Sequence, residues 1–142
     1  MNVGDRLQTS RRTITETDLV GFITMSGFFE PLFMDASHAE DAGLYGGRLV
    51  PGALTLVFAE GLVIQTGVIH GTGLAFLGME LRVLRPVLVG DTIEVAVEVT
   101  AVRPAKNGGR GVVTTRNDVA NQHGHIVMTY HPVRLLAGRD PA

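Results

Sequence analysis

Cysteine is absent from the 142 residues of the chain, and with it go disulfides, thiolate metal sites and thiol nucleophiles, while the redox compartment stays open. Charge is scarce as well. Asp, Glu, Lys and Arg make up 18% of the sequence against 45% hydrophobic residues, a bias that points to surface buried against another subunit. The formal net charge of -2 offers no basic excess, so neither nucleic acid nor an anionic membrane is expected as a partner. Repeats, low-complexity segments and linkers are missing, which leaves residues 1–142 as one expected domain. The polar segment Met1–Leu7 has no apolar run of a signal peptide, so the cytoplasm is the expected location.

Several chemistries lack their motifs. No Gly-x-Ser-x-Gly elbow occurs, so a serine nucleophile has no support. Gly71-Thr72-Gly73 precedes an apolar strand and not a helix, which is the wrong setting for a phosphate loop. His123 and His125 flank Gly124 in a turn, His70 lies in a glycine-rich connection and His131 in a strand; none has the spacing of a metal site. No metal and no cofactor are expected.

What is present is organised around Leu49–Thr66. Pro51 suits a first helical turn and Gly67 an exit, and between them only Glu60 is charged. Apolar residues fall on every face, Phe58 and Leu62 among them, so the expectation is a buried core helix wrapped by other elements. About sixteen residues give roughly 24 Å, too short for a bilayer.

Before this helix, Arg6–Ile14 has the character of a short strand. Thr15 and Asp18 form a capping box for a helix from Glu16 to about Ser26. Gly27-Phe28-Phe29-Glu30-Pro31-Leu32-Phe33-Met34-Asp35 then gathers three of the chain's 6 phenylalanines, too many for a solvent loop. Asp35 is placed to cap a short helix through Ala42, ended by Gly43. After Gly67 the pattern turns extended. Leu74–Val89 reads as a strand interrupted at Gly78 and bent at Pro86, and Gly90-Asp91 turns. Thr92–Val102 alternates strictly, with Ile93, Val95, Val97 and Val99 on one face. Asn107-Gly108-Gly109 marks a hairpin before Gly111–Val119, Asn121–Gly124 turns again, and His125–Leu136 supplies the last strand. One apolar helix followed by four strands is an α+β pattern, best buried by wrapping an antiparallel sheet around the helix.

Four segments carry a resemblance. They are Gly4-Asp5 with Thr13-Ile14-Thr15-Glu16; Gly27–Asp35; Gly46-Gly47-Arg48-Leu49-Val50-Pro51-Gly52-Ala53-Leu54; and Arg85-Pro86-Val87-Leu88-Val89-Gly90-Asp91-Thr92. Together they resemble the MaoC-like branch of the hotdog fold, the (R)-specific enoyl-CoA hydratases and dehydratases. The resemblance implies a dimer with sheets joined edge to edge, and an acyl-CoA or acyl-carrier thioester bound at the subunit boundary. It also implies hydration by an Asp and a His from a Gly-Asp-x-Asn-Pro-x-His-x-Asp motif, with a backbone N–H at the start of the buried helix stabilising the enolate oxygen.

This chain departs from that motif where the chemistry lies. With Pro31 as anchor, the motif's Asp falls on Phe28 and its His on Phe33, and neither ring can move a proton. The Asn becomes Glu30 and the final Asp survives as Asp35. Gly52 resembles the oxyanion donor. The expected site is therefore Phe28, Phe33 and Gly52 for substrate, with Glu30 and Asp35 as candidate catalytic carboxylates. Glu30 would act with its pKa raised among the phenylalanines; an Asp35–His38 dyad is the other possibility, against a plain helix cap. Arg85 is a minor candidate for a carrier phosphate. Two functions compete. One is a hydratase or dehydratase using a relocated carboxylate; the other is an acyl-binding subunit, homodimeric or paired with a dyad-bearing MaoC-like relative, as occurs in heteromeric members of the family.

Overall fold

Thr15 starts the first helix by reciprocal capping: its hydroxyl accepts from the Asp18 N–H at 3.2 Å, and the Asp18 carboxylate accepts from the Thr15 N–H at 2.9 Å. The helix stops at Gly27, whose N–H returns to the Ile23 carbonyl at 2.9 Å. The computed structural model describes residues 1–38, 45–106 and 108–138. In chain order its elements are β1 (Arg6–Gln8), β2 (Arg12–Thr13), α1 (Glu16–Ser26), α2 (Pro31–Met34), α3 (Gly52–Gln65), β3 (Gly73–Val83), β4 (Thr92–Pro104), β5 (Arg110–Ala120) and β6 (Ile126–Ala137).

The strands form one antiparallel sheet in the order β1-β4-β5-β6-β3, with β2 also on β4. The expected first strand over Arg6–Ile14 is thus two short pieces. Between them Thr9 donates its N–H to the Val95 carbonyl and takes the Val95 N–H on its hydroxyl, which carries the chain past β4 without ladder pairing. The interruption expected at Gly78 is a register shift against β6 between Phe76 and Gly78. The strand ends at Val83 and not at Val89, because the chain turns away at Arg85-Pro86 to make a separate bridge, Leu49 with Leu88.

Strict alternation on β4 puts Ile93, Val95 and Val97 under the helices, joined by Leu19, Phe22 and Ile23 of α1, Val119 of β5, and Val127, Met128 and Tyr130 of β6, while Val99 joins a second cluster with Val113 and Leu136. Against this face α3 lays Leu54, Thr55, Ala59, Leu62 and Val63. The sheet wraps α3 as expected, but within the single chain it leaves one flank of the helix bare. Val57 and Ile64 are more than half exposed and Phe58 is only partly buried, because one sheet reaches one side of the cylinder. The short helix expected from Asp35 to Ala42 is described only to His38, and Asn107 of the expected hairpin also falls outside the described residues. Among the described residues no helix is long and apolar enough to cross a membrane.

Candidate functional site

Two of the sequence segments that stood out separately lie side by side in space. Val50 donates its N–H to the Val87 carbonyl at 2.8 Å, and Val89 donates to the Arg48 carbonyl at 2.9 Å. This small antiparallel pairing delivers Pro51 and Gly52 to the end of α3. Its far side is fixed by the Gly90-Asp91 turn: Gly90 has φ 97, a conformation that favours glycine, and the Asp91 carboxylate takes the Leu88 N–H at 2.9 Å. Gly90 and Asp91 then exchange backbone hydrogen bonds with Ile14, tying the assembly to the start of α1.

A groove of about 330 Å³ opens beside this junction. Gly52 and Thr55 of α3 form one wall; Val83, Leu84 and Arg85 at the end of β3 form another; Val127 and Met128 of β6 close the floor. Its lining is mainly apolar. Gly52 opens the helix, so its N–H has no carbonyl within the helix to meet, and among the described residues it meets no other acceptor. A Cβ on Gly52 would stand 3.5 Å from Val83 Cγ2, another residue of the groove, an ordinary van der Waals contact. The positive end of a 14-residue helix, with a donor that has no partner among the described residues, therefore stands beside an apolar slot. That arrangement suits a carbonyl oxygen that gains negative charge.

The phenylalanine segment sits apart from this groove. Phe28 packs edge-on against Phe22 with ring centroids 5.1 Å apart and lies 6.2 Å from Phe33, which in turn packs on the core. Neither ring lines the groove at Gly52 within the single chain. The two regions are nonetheless linked by Arg48. It donates to the Phe33 carbonyl at 2.8 Å and pairs with Glu16 in the first turn of α1, so the phenylalanine loop and the approach to α3 are held by one guanidinium.

The carboxylates expected to act there are differently placed. Glu30 is exposed, stands just before α2 and makes no capping bond. Asp35 is exposed and engaged: its Oδ1 accepts from the Ser37 hydroxyl and N–H and from the His38 N–H, and the Ser37 hydroxyl above all holds its pKa below the ordinary value. It meets the backbone of His38 and not its ring. Arg85, at the groove's edge, has its guanidinium 3.3 Å from His125 Nδ1. Among the described residues no three His, Cys, Asp or Glu side chains gather as a metal site.

One cluster was not anticipated. Glu60, the lone charge of α3, accepts from the Tyr130 hydroxyl at 2.7 Å and from Arg134 Nη2 at 2.6 and 2.7 Å. Burial first, and then the Glu60 carboxylate, push the Tyr130 phenol well above its usual range, so it stays a neutral donor. Tyr130 and Arg134 are four residues apart on a strand and so share a face with Met128, a two-residue period visible in the sequence. What was not visible is that this face meets the turn of α3 that carries Glu60.

The family model for the FAS1-like dehydratase domain region matches residues 1–130. Protein MaoC of Klebsiella aerogenes is 42% identical over 93 residues, which is 65% of this chain but 27% of that protein, so the chain spans little more than a quarter of its length. The (R)-specific enoyl-CoA hydratase of Aeromonas caviae is 30% identical over 136 residues, 96% of each chain. The crystal structure of the MaoC-like dehydratase from Rhodospirillum rubrum aligns with a TM-score of 0.87 at 26% identity, covering 99% of this chain and 96% of that one. By a match over most of its length and by its architecture, the chain belongs to the MaoC-like family of FAS1-like dehydratase domains and has the hotdog fold.

Proposed function

We propose that this chain binds the acyl thioester of coenzyme A or of an acyl carrier protein at the start of α3, and that it lacks the acid/base pair with which its relatives act on such substrates. The supporting observation is at Phe28 and Phe33. Where the family motif has Asp and His, this chain has two rings packed with each other and with Phe22. The recognition half is kept, with a free Gly52 N–H at the positive end of α3 beside an apolar groove. Such a chain would position the thioester, with Phe28 and Phe33 as apolar contacts once a second subunit closes the groove. A dyad-bearing MaoC-like partner would then supply the proton transfers.

A second reading keeps catalysis here through Glu30, whose carboxylate makes no cap at α2 and stands next to Phe29 in the chain. Asp35 is the weaker candidate, since its lowered pKa opposes service as a base near neutrality. The test uses the purified chain alone with crotonyl-CoA, following binding by calorimetry and hydration by loss of the enoyl absorbance. Binding without turnover is expected, because general acid/base groups contribute about 10²- to 10⁴-fold each. Turnover at an ordinary enzyme rate, abolished by Glu30→Gln but kept in Asp35→Asn, would overturn the proposal and make Glu30 the base.

A further inference from the structure

Thr55 lines the groove, is 1% exposed, and its hydroxyl oxygen meets no hydrogen-bond partner among the described residues. A buried hydroxyl in this state is uncommon and costs stability. Threonine inside a helix ordinarily donates to a carbonyl three or four residues earlier. Thr24 of α1 does so to the Val20 carbonyl at 2.8 Å, and Thr66 at the end of α3 does so to the Val63 carbonyl at 2.6 Å. For Thr55 the carbonyl four residues back belongs to Pro51, and it already receives the N–H groups of Leu54 and Thr55. The hydroxyl makes no third bond there.

Its place in the helix gives this free donor a direction. Helical side chains lean toward the N-terminus, and residues three apart share a face, so Thr55 overlies the turn that Gly52 opens. Gly52 has the free N–H of that turn and lines the same groove. Two donors with no partner among the described residues therefore stand on one face of one helical turn, beside an apolar slot. We propose that Thr55 is the second donor of the site, its O–H donating to the same carbonyl oxygen of a bound thioester as the Gly52 N–H. This rests on the thioester reading above and adds a residue to it. Two donors on one oxygen draw electron density from the C=O bond, and an enolate oxygen would draw on both more strongly than the ground-state carbonyl.

The experiment compares the wild-type chain with Thr55→Val, which keeps the shape and removes the hydroxyl, and Thr55→Ser, which keeps the hydroxyl. The probe is crotonyl-CoA with an isotope-labelled carbonyl, read by calorimetry and by the infrared C=O stretch. Thr55→Val is expected to bind about 3- to 10-fold more weakly and to return the stretch toward its free-solution frequency, with a Tm at or above wild type. Thr55→Ser is expected to restore both binding readouts. Unchanged affinity and frequency in Thr55→Val, with a lowered Tm, would overturn the proposal, since a hydroxyl held by a buried water behaves in that way. If Thr55→Val does not fold, Thr55→Ser against Thr55→Ala decides by the same readouts. Failure of the wild-type chain to bind crotonyl-CoA would overturn the thioester reading and Thr55's role with it; binding that ignores the hydroxyl overturns only the latter.

Discussion

Leu62 is 2% exposed on the sheet side of α3, whereas Phe58, one turn earlier, is only partly buried and has the Arg12 guanidinium 3.7 Å above its ring. Both were expected in the core, and their truncations should now separate. Leu62→Ala removes well-packed atoms and should cost about 2 to 5 kcal/mol. Phe58→Ala forfeits partial burial and a surface cation–π contact of about 0.5 to 1 kcal/mol, so it should be clearly milder in chemical denaturation. Equal losses at the two sites would mean that Phe58 is covered by something outside this chain. Asp18 makes a different kind of contribution. The Thr15 N–H first, with Arg12 assisting, holds its carboxyl below the ordinary value of 3.8. A carboxylate depressed in the folded state stabilises above the unfolded pKa, and that contribution is lost as pH falls through the folded value. Asp18→Asn should therefore lower Tm near neutrality, and its deficit against wild type should shrink below about pH 3.8. A deficit that does not change with pH would assign the effect to helix geometry and not to charge.

Among the elements, β3 is the one whose surroundings within the chain are least complete. Among the described residues it pairs only with β6, and Leu74, Phe76, Leu77, Met79, Leu81 and Val83 along it are all exposed. The register shift after Phe76 leaves Phe76, Met79, Leu81 and Val83 on one face, opposite Arg134, Pro132, Tyr130 and Met128, and an unprotected apolar edge invites strand pairing. The family arrangement of sheets joined edge to edge would cover it with a second copy or a relative. Light scattering at micromolar concentration should then report a dimer, and Leu77→Lys with Leu81→Lys should shift it to monomer; a monomeric wild type would count against pairing through β3. Much of this element pattern was legible beforehand, because it depends on local chemistry: the Thr15–Asp18 box, Pro51 before α3, and the alternation of β4. Less legible was anything requiring one element to meet another. The even apolarity of α3 could not tell which flank the sheet leaves bare, and Glu60 could not name Tyr130 and Arg134 as partners. The motif comparison located Gly52 at the helix start, but only packing separated the groove there from the corner where Phe22, Phe28 and Phe33 meet.

For the molecule as a whole, the question is whether two side chains separate it from an enzyme. The bridge between residues 48–50 and 87–89 presents α3, Arg48 ties the Phe33 segment to α1, and the Gly52 N–H has no partner among the described residues. On the proposed register, Phe28→Asp with Phe33→His would put the motif's Asp and His into this frame. The substitution has a structural cost, since Phe33 packs on the core and Phe28 on Phe22, and a polar group put there loses those contacts. Because Phe28 is 37% exposed and Phe33 also incompletely buried, that cost should be smaller than for fully buried rings, about 1 to 3 kcal/mol in total. The double variant is therefore expected to fold with a lowered Tm and to hydrate crotonyl-CoA above the wild-type background, with a rise in rate that needs both substitutions. Either single variant should stay near background, because one group must take a proton while the other orients the water, and half of such a pair recovers little. If the double variant folds, binds the thioester and still does not turn it over, then the loop between Gly27 and Asp35 has drifted along with its residues. The chain's part in an assembly would then be fixed by its backbone and not only by two rings.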